Sequence, residues 1–466
     1  MNKFIYTSMS LLWGAALSLG AAEISNDVQA KLKNGERARV IVTFKDKTNR
    51  GKLKYKSSSQ EVKRQLLANY KASSRGAKEI FGRLGKKADS QIIDEFWAAN
   101  AMYADVSNSV LQELSQNDDV AQITLDRVIP FQEPPAVEED EGSEIMDDEH
   151  YTYGLKMLGV DQVMTAYNLS GTGVTVGVLD TGIDASHPDL QGKVVAWKDW
   201  SGDEAEEPRD KHGHGTHCAG TIAGGKASGR QIGVAPNAKL VIGRIFGDKG
   251  NASLAGILGA MNWVTDPDGD PETNDAPRVV SNSWGGSQGS MEDEKAMWNL
   301  VQGWRSLNMV PVFAAGNSGP WPKTVGTPGG YPHSFAVGAT NAKDKATGFS
   351  SRGPITWDGV KHIKPDISAP GNAILSAKPG GGYQKMSGTS MACPHVSGLV
   401  ALVLEANPAY SVDQVEDLLE STAKDLGNNG KDNTYGHGRA DIKAAIDQLK
   451  GSTGTRQNRF NEIYTD

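Results

Sequence analysis

"GVTVGVLD" (Gly173–Asp180) is a short run of small and branched apolar residues that ends on a carboxylate and passes at once into the turn residues "TGID". Such a run, bounded by turn formers, reads as a buried strand. The same texture recurs in "KLVIGRIF" (Lys239–Phe246), "RVVSNSW" (Arg278–Trp284), "MVPVFAAG" (Met309–Gly316) and "SFAVGAT" (Ser334–Thr340), and helical patterns such as Leu254–Val264 and Glu292–Ser306 lie between them. Strands alternating with helices predict an α/β fold, a parallel β-sheet flanked by helices on both faces. In such folds the functional groups gather beyond the carboxyl ends of the strands.

At 466 residues the chain is long enough for two or three domains, one of them a large enzyme. Its net charge of −8 favours neither nucleic acid nor a membrane surface as partner. Residues 1–22 combine Lys3, a short apolar run and a Gly-Ala-Ala end, the pattern of a cleaved export signal. No second long apolar segment follows, which argues against stable membrane insertion. Cys218 and Cys393 are the only cysteines. They exclude a disulfide framework, and whether they form one bridge or two buried thiols stays open.

After the signal, a strand at Arg39–Asp46, a basic helix at Gln60–Leu84, a strand-like stretch at Phe96–Val106, a short helix at Val110–Leu114 and a strand at Val120–Leu125 predict a small α+β domain of the βαββαβ kind over 23–132. Its lysines and arginines are dense, yet no aromatic stacking motif accompanies them, so nucleic acid is not the expected partner. The acidic, proline-bearing stretch 133–150 has the composition of an exposed linker, and the tail 450–466 is polar.

Asp180 sits at a strand's carboxyl end, where it could simply close a turn. "KHGHGTHCAG" (Lys211–Gly220) offers histidines among glycines ahead of a helix, readable as loop histidines or a metal cluster, although the spacing is not that of a zinc helix. In "MSGTSMACPHVSGLVALV" (Met386–Val403), Ser390 stands where a helix begins and could be its N-cap. Together the three supply what acyl transfer by serine requires: a hydroxyl, an imidazole to take its proton, and a carboxylate to hold the imidazole.

"VLDTGIDASHPDL", "HGHGTHCAGT" and "MSGTSMACPHVSG" resemble, in order, the three signature blocks of the subtilisin-like serine proteases, and the likeness continues through "GVAPNAKL", "VFAAGNSG", "KPDISAPG" and "YGHGRADIKAA". The "SNSWGG" block and the longer loop before it are most similar to bacillopeptidase F-like members. The resemblance implies a subtilisin-like peptidase domain over 151–449 and a secreted serine endopeptidase working as a monomer on protein and peptide substrates. It implies Ser390 as nucleophile, His214 as general base, Asp180 as its orienting carboxylate and Asn317 as an oxyanion-hole donor. His212 and His217 do not match the catalytic position.

It further implies that Gly250, Asn251 and Ala252 on one side, and Ser283, Trp284 and Gly285 on the other, pair with an extended peptide. Ala314, Ala315, Gly316 and Gly326 would be small pocket walls, with Trp284 narrowing the neighbouring site. No cofactor is required for the chemistry. A structural Ca2+ is left open, because of the usual side-chain ligands only Asp189 can be placed, while Lys226 and Ala227 stand where others are expected. The acidic insertion Asp266–Asp275 lacks the closing Glu of an EF-hand and reads as a solvated loop. Residues 23–132 would be an inhibitor-type propeptide whose end, Arg127–Gln132, runs into the active site, with processing in the acidic linker; the alternative is a retained accessory domain. The competing reading is a catalytically inactive relative that binds proteins.

Overall fold

The computed structural model describes residues 22–47, 58–137, 148–286 and 295–451. The expected export signal, apart from its last residue, most of the acidic linker and nearly all of the polar tail lie outside the described residues.

The large sheet has seven strands, in the spatial order Ile367–Pro370, Phe335–Thr340, Val310–Ala314, Val279–Asn282, Thr175–Asp180, Lys239–Arg244 and Val194–Asp199, and every neighbouring pair is parallel. The five strands expected from sequence form its interior. The other two are its edges, where pattern is weakest: "VVAWKD" is polar and half-exposed, and "ISAP" is short and ends on proline. Because the sheet is parallel, Asp180, Asn282 and Ala314 all end their strands on the same side.

The helix Thr389–Ala406 packs across the sheet, with every residue from Thr389 to Leu404 buried. It is long and apolar enough to cross a membrane, against the expectation that no second such segment follows the signal, but it is 89% buried inside the protein. Its hydropathy is that of a central core helix.

Residues 23–125 form a second sheet, ordered Glu23–Ile24, Val120–Leu125, Ala38–Phe44, Ala101–Val106 and Gln91–Phe96, antiparallel except for the first pair. The stretch read as one strand near Phe96–Val106 is a hairpin, and the long helix is broken into Ser59–Ser73, Arg75–Ile80 and a π-turn at Phe81–Gly85. Glu23–Ile24 and the helix Asn26–Asn34 carried no recognised signal. This unit has its own apolar core around Val40, Val42, Tyr70, Met102, Leu111 and Ile123.

Ile41, Val62, Leu66 and Phe96 of this unit share a second core with Leu254, Ile257, Met297 and Val301, so it packs on the helices Leu254–Trp263 and Lys295–Ser306 of the large domain. Lys63 is wholly buried in the contact and donates to Asp266 Oδ1 (2.7 Å), Asp275 Oδ1 (3.1 Å) and the Thr273 carbonyl (3.3 Å). The two ends of the acidic insertion are therefore the seat of a buried ammonium, while residues 268–270, 272 and 274 between them are exposed, as expected of a solvated loop. Beside it, Arg64 pairs with Glu272 at 2.8 Å with both side chains more than half exposed.

A buried charge deprived of its partner costs far more than a broken surface pair, ~3–5 kcal/mol against little. Lys63→Ala should weaken docking of the N-terminal unit by an amount of that order, and Arg64→Ala hardly at all. Native-state hydrogen exchange along Leu254–Trp263 and Lys295–Ser306 would measure both; equal effects would show that the buried ammonium does not hold the contact.

Candidate active site

The helix Thr389–Ala406 begins without a side-chain cap: Gly388 occupies the N-cap position, and Ser390 lies inside the first turn. Pro394 explains what happens next. It has no N–H to give to the carbonyl four residues back, so the Ser390 carbonyl is left free of the helix ladder. That carbonyl accepts from Ser283 Oγ at 2.9 Å, and Ser390 Oγ donates in return to the Ser283 carbonyl at 3.1 Å. The reciprocal pair ties the helix start to the segment just beyond the strand Val279–Asn282. Ser390 is thus a polar hydroxyl held at a strand exit, and it is not the cap of its helix.

Asp180 and His214 meet at the neighbouring strand exit. His214 opens the helix His214–Ala223, and its Nδ1 lies 2.7 Å from Asp180 Oδ1, which also accepts from the Thr181 N–H at 2.7 Å. The approach needs bare backbone. A Cβ on Gly215 would fall 2.2 Å from the Gly182 carbonyl oxygen, and one on Gly182, whose φ is +115°, 2.0 Å from the Arg209 carbonyl oxygen. Asp210, which sequence reasoning passed over, ties this corner together. Its carboxylate accepts from the N–H groups of His212, Gly213 and Thr216 and from the hydroxyls of Thr181 and Thr216. The signal was available, since an Asp a few residues before a helix start is a capping pattern.

Burial by itself would strip a proton from the wholly buried His214 ring, but the adjacent Asp180 carboxylate outweighs it and holds the imidazole well above its ordinary value. His214 Nε2 is buried with no hydrogen-bond partner among the described residues. Two other buried histidines differ. His217 contacts the Ile374 carbonyl at 2.9 Å and His395 the Met391 carbonyl at 2.8 Å, and burial lowers them to about 3 and about 4. Cys218 and Cys393 are free, buried thiols, and burial raises both.

Asn317 Oδ1 accepts from Thr389 N and Thr389 Oγ1, both at 2.9 Å, which leaves its NH2 group as the end able to donate elsewhere. Asn317 and Ser390 line one pocket with Ser283, Trp284, Gly285, Gly286, Ala314, Gly316 and Gly326. Ala315 does not line it; its side chain packs behind with Val325 and Ile355. Trp284 is 6% exposed and turns its ring edge-on to Phe313, so most of the indole is core. Asn251–Ser253 forms the opposite rim as a short strand, with Gly250 just before it. The pocket walls also include Phe131 and Gln132, and about 20 Å³ of free space remains, room for about one water. A much larger cavity, about 500 Å³, lies at the seam between the two units, beside Trp298 and Trp357.

The residues around Asp189 do not fit a cation. One carboxylate oxygen accepts from the Ala227 N–H and the other from the Tyr383 hydroxyl, both at 2.6 Å, so donors stand where ligand oxygens would be needed.

A parallel sheet that brings a carboxylate, an imidazole, a hydroxyl and an amide donor to adjoining strand exits, beside a rim able to pair with extended chain, defines a serine endopeptidase. The chain belongs to the subtilase family, whose model matches residues 171–438. It is 31% identical to bacillopeptidase F of Bacillus subtilis (strain 168) over 94% of this chain, although it spans only 33% of that protein. It is 32% identical to the serine protease AprX of the same organism, over 78% of this chain and 83% of that protein. With subtilisin E, also from that organism, the identity is 33% over 80% of this chain and 86% of the relative.

In an uncut Ser390→Ala chain, the His214 ring should lose its proton only above pH 6.5, because the Asp180 carboxylate favours the charged form. Asp180→Asn removes that carboxylate, leaves burial unopposed and should move the titration below 6.5. His217 and His395 should stay neutral throughout pH 5–8. Histidine NMR shifts across that range test all of this, and a His214 titration indifferent to Asp180→Asn would contradict the electrostatic account.

Proposed function

We propose that the chain is an exported endopeptidase, made as a self-processing precursor, that hydrolyses peptide bonds in proteins through an acyl-enzyme on Ser390. The observation that carries this reading is the buried Asp180–His214 pair, whose Nε2 has no partner, next to a pocket lined by Ser390 and Asn317. In the first step Ser390 Oγ attacks the carbonyl carbon of the substrate and passes its proton to His214 Nε2. The Asp180 carboxylate stabilises the imidazolium that results. The oxyanion is met by the Asn317 NH2 group and by the Ser390 N–H, a first-turn amide with no acceptor inside its helix. His214 then returns the proton to the departing amine, and water releases the acyl group by the same steps reversed.

Substrate binds as an extended strand between Gly250–Ala252 and Ser283–Gly285, a mode in which main-chain pairing accepts most unfolded chain and the side-chain pockets select. A substrate N–H directed at the Ser283 carbonyl competes with the Ser390 hydroxyl for that acceptor and frees the hydroxyl to turn toward His214. The chemistry needs no cofactor. Export rests on the composition of residues 1–22. The N-terminal unit acts as an intramolecular inhibitor and folding partner, a reading supported by Phe131 and Gln132 in the pocket and by the core it shares with the large domain.

Ser390→Ala should abolish hydrolysis while the fold survives, and full-length precursor should accumulate. A serine-directed phosphonate should label the processed enzyme on Ser390 alone; a folded, processed chain that resists labelling would favour the inactive binding protein.

Asn317→Leu should lower kcat by ~10²–10³-fold with KM nearly unchanged, because a donor aimed at developing charge acts in the transition state. Steady-state kinetics on a peptide substrate would decide, and a rise in KM at constant kcat would assign Asn317 to ground-state binding.

A further inference from the structure

The segment that follows the N-terminal unit crosses the site in one register. Val128–Pro130 runs antiparallel to Asn251–Ser253, pairing Val128 with Ser253, Ile129 with Ala252 and Pro130 with Asn251. The ladder extends on both sides, from Leu254 N to the Arg127 carbonyl at 2.9 Å and from Phe131 N to the Gly250 carbonyl at 2.7 Å. Phe131 is therefore the last residue held by this rim. Its ring lies edge-on to His214 at 4.9 Å and to His212 at 4.6 Å.

Side chains of an extended segment alternate in direction, so residues 131 and 133 should share a side and residue 132 should point the other way. The contacts follow that alternation. Glu133 reaches the same His212 that Phe131 touches, with Nε2 at 3.1 and 3.2 Å from its two carboxylate oxygens. Gln132 lines the pocket with Gly285, Gly326, Asn317 and Ser390, and Phe131 forms part of the same wall. Pro135 then passes over Gly388, its Cδ 3.5 Å from where a Cβ on that glycine would stand. The chain thus enters along one rim, places one side chain in the pocket beside Ser390 and leaves over the start of the nucleophile's helix.

We propose that the bond the enzyme cuts in its own chain is Gln132–Glu133, an inference that rests on the reading of Ser390 as nucleophile. Ser390 Oγ bonds to the Gln132 carbonyl carbon and its proton goes to His214. The C–N bond breaks, and the Glu133 nitrogen leaves as an amine carrying the proton from His214. Water then hydrolyses the ester and leaves a carboxylate on Gln132 and a free Ser390 hydroxyl. The new Gln132 terminus stays in the pocket because the ladder through Phe131 does not depend on the broken bond. His212 is the specificity residue for an acidic side chain on the leaving side.

The test is to express the full chain, stop processing early with a serine-directed phosphonate, and determine both fragment ends by mass spectrometry. The expected result is an N-terminal fragment ending at Gln132 and an enzyme fragment beginning at Glu133. The N-terminal fragment is the diagnostic one, since later trimming of the enzyme's exposed new end does not alter where the fragment held in the cleft stops. A Glu133→Lys chain should process about threefold to fivefold more slowly, because it loses an exposed contact with His212. A first junction anywhere else, in a chain whose processing is still lost in Ser390→Ala, overturns the proposal and leaves the protease reading standing. A chain that neither processes nor hydrolyses casein overturns both.

Discussion

Asp180 and His214 come within 2.7 Å of each other because bare backbone meets bare backbone beside them. Gly215, the residue after His214, packs so closely on Gly182, two residues beyond Asp180, that it cannot carry a side chain, and the Arg209 carbonyl excludes one from Gly182. Below the contact, Arg244 is almost completely buried and donates to Asp199, Asp203 and Asp248 as well as to the Thr181 carbonyl. The turn after the strand therefore rests on a charged network satisfied on several sides, which removes the desolvation penalty a lone buried guanidinium would bring. Asp210 fixes the other half by accepting from the N–H groups of His212 and Gly213, just before the His214 helix, and of Thr216 in its first turn. Position is set here by hydrogen bonds and excluded volume at the turn, and the sheet supplies only the common edge.

The N-terminal unit is joined to that edge by the same residues that dock it. Asp126 accepts from the Ala255 N–H at 3.0 Å, in the first turn of the helix Leu254–Trp263, and from the Tyr103 hydroxyl at 2.8 Å. The residues just before that helix form the rim paired with Val128–Pro130. Docking and threading are thus consecutive parts of one contact. Because the shared core lies on helices behind the rim and the Lys63 seat lies at the far end of the first of them, the unit is anchored away from the cleft. Its last residues enter the cleft already aligned.

Much of this was legible in the sequence. The five interior strands show as short apolar runs, and Asp180, His214, Ser390 and Asn317 stand in motifs where small residues surround one reactive group. Other features resist pattern reading. Gln91–Phe96 alternates with charged residues and pairs only through its hairpin, and the two sheet edges lack a continuous apolar run. Lys63 looks like any helix-surface lysine until the insertion more than two hundred residues later is brought against it. The state of the cysteines depends on distances that no spacing of two residues encodes, and Ala315 differs from Ala314 only in which way a turn directs its methyl group.

Three of the four wholly buried histidines among the described residues, His214, His217 and His395, show what one neighbouring charge does to a buried imidazole. Burial favours the neutral ring in all three, and backbone carbonyls engage His217 and His395, yet both remain far below the ordinary value. A carbonyl can accept from a neutral ring as well as from a charged one, so it opposes the cost of burial only weakly. A carboxylate distinguishes the two forms by a full charge. Of the three only His214 has one; His217 and His395 each keep a ring nitrogen without a partner as well, so the charge and not the open nitrogen distinguishes it. His214 is thus set apart from the other two by one neighbouring charge, at equal depth in the protein.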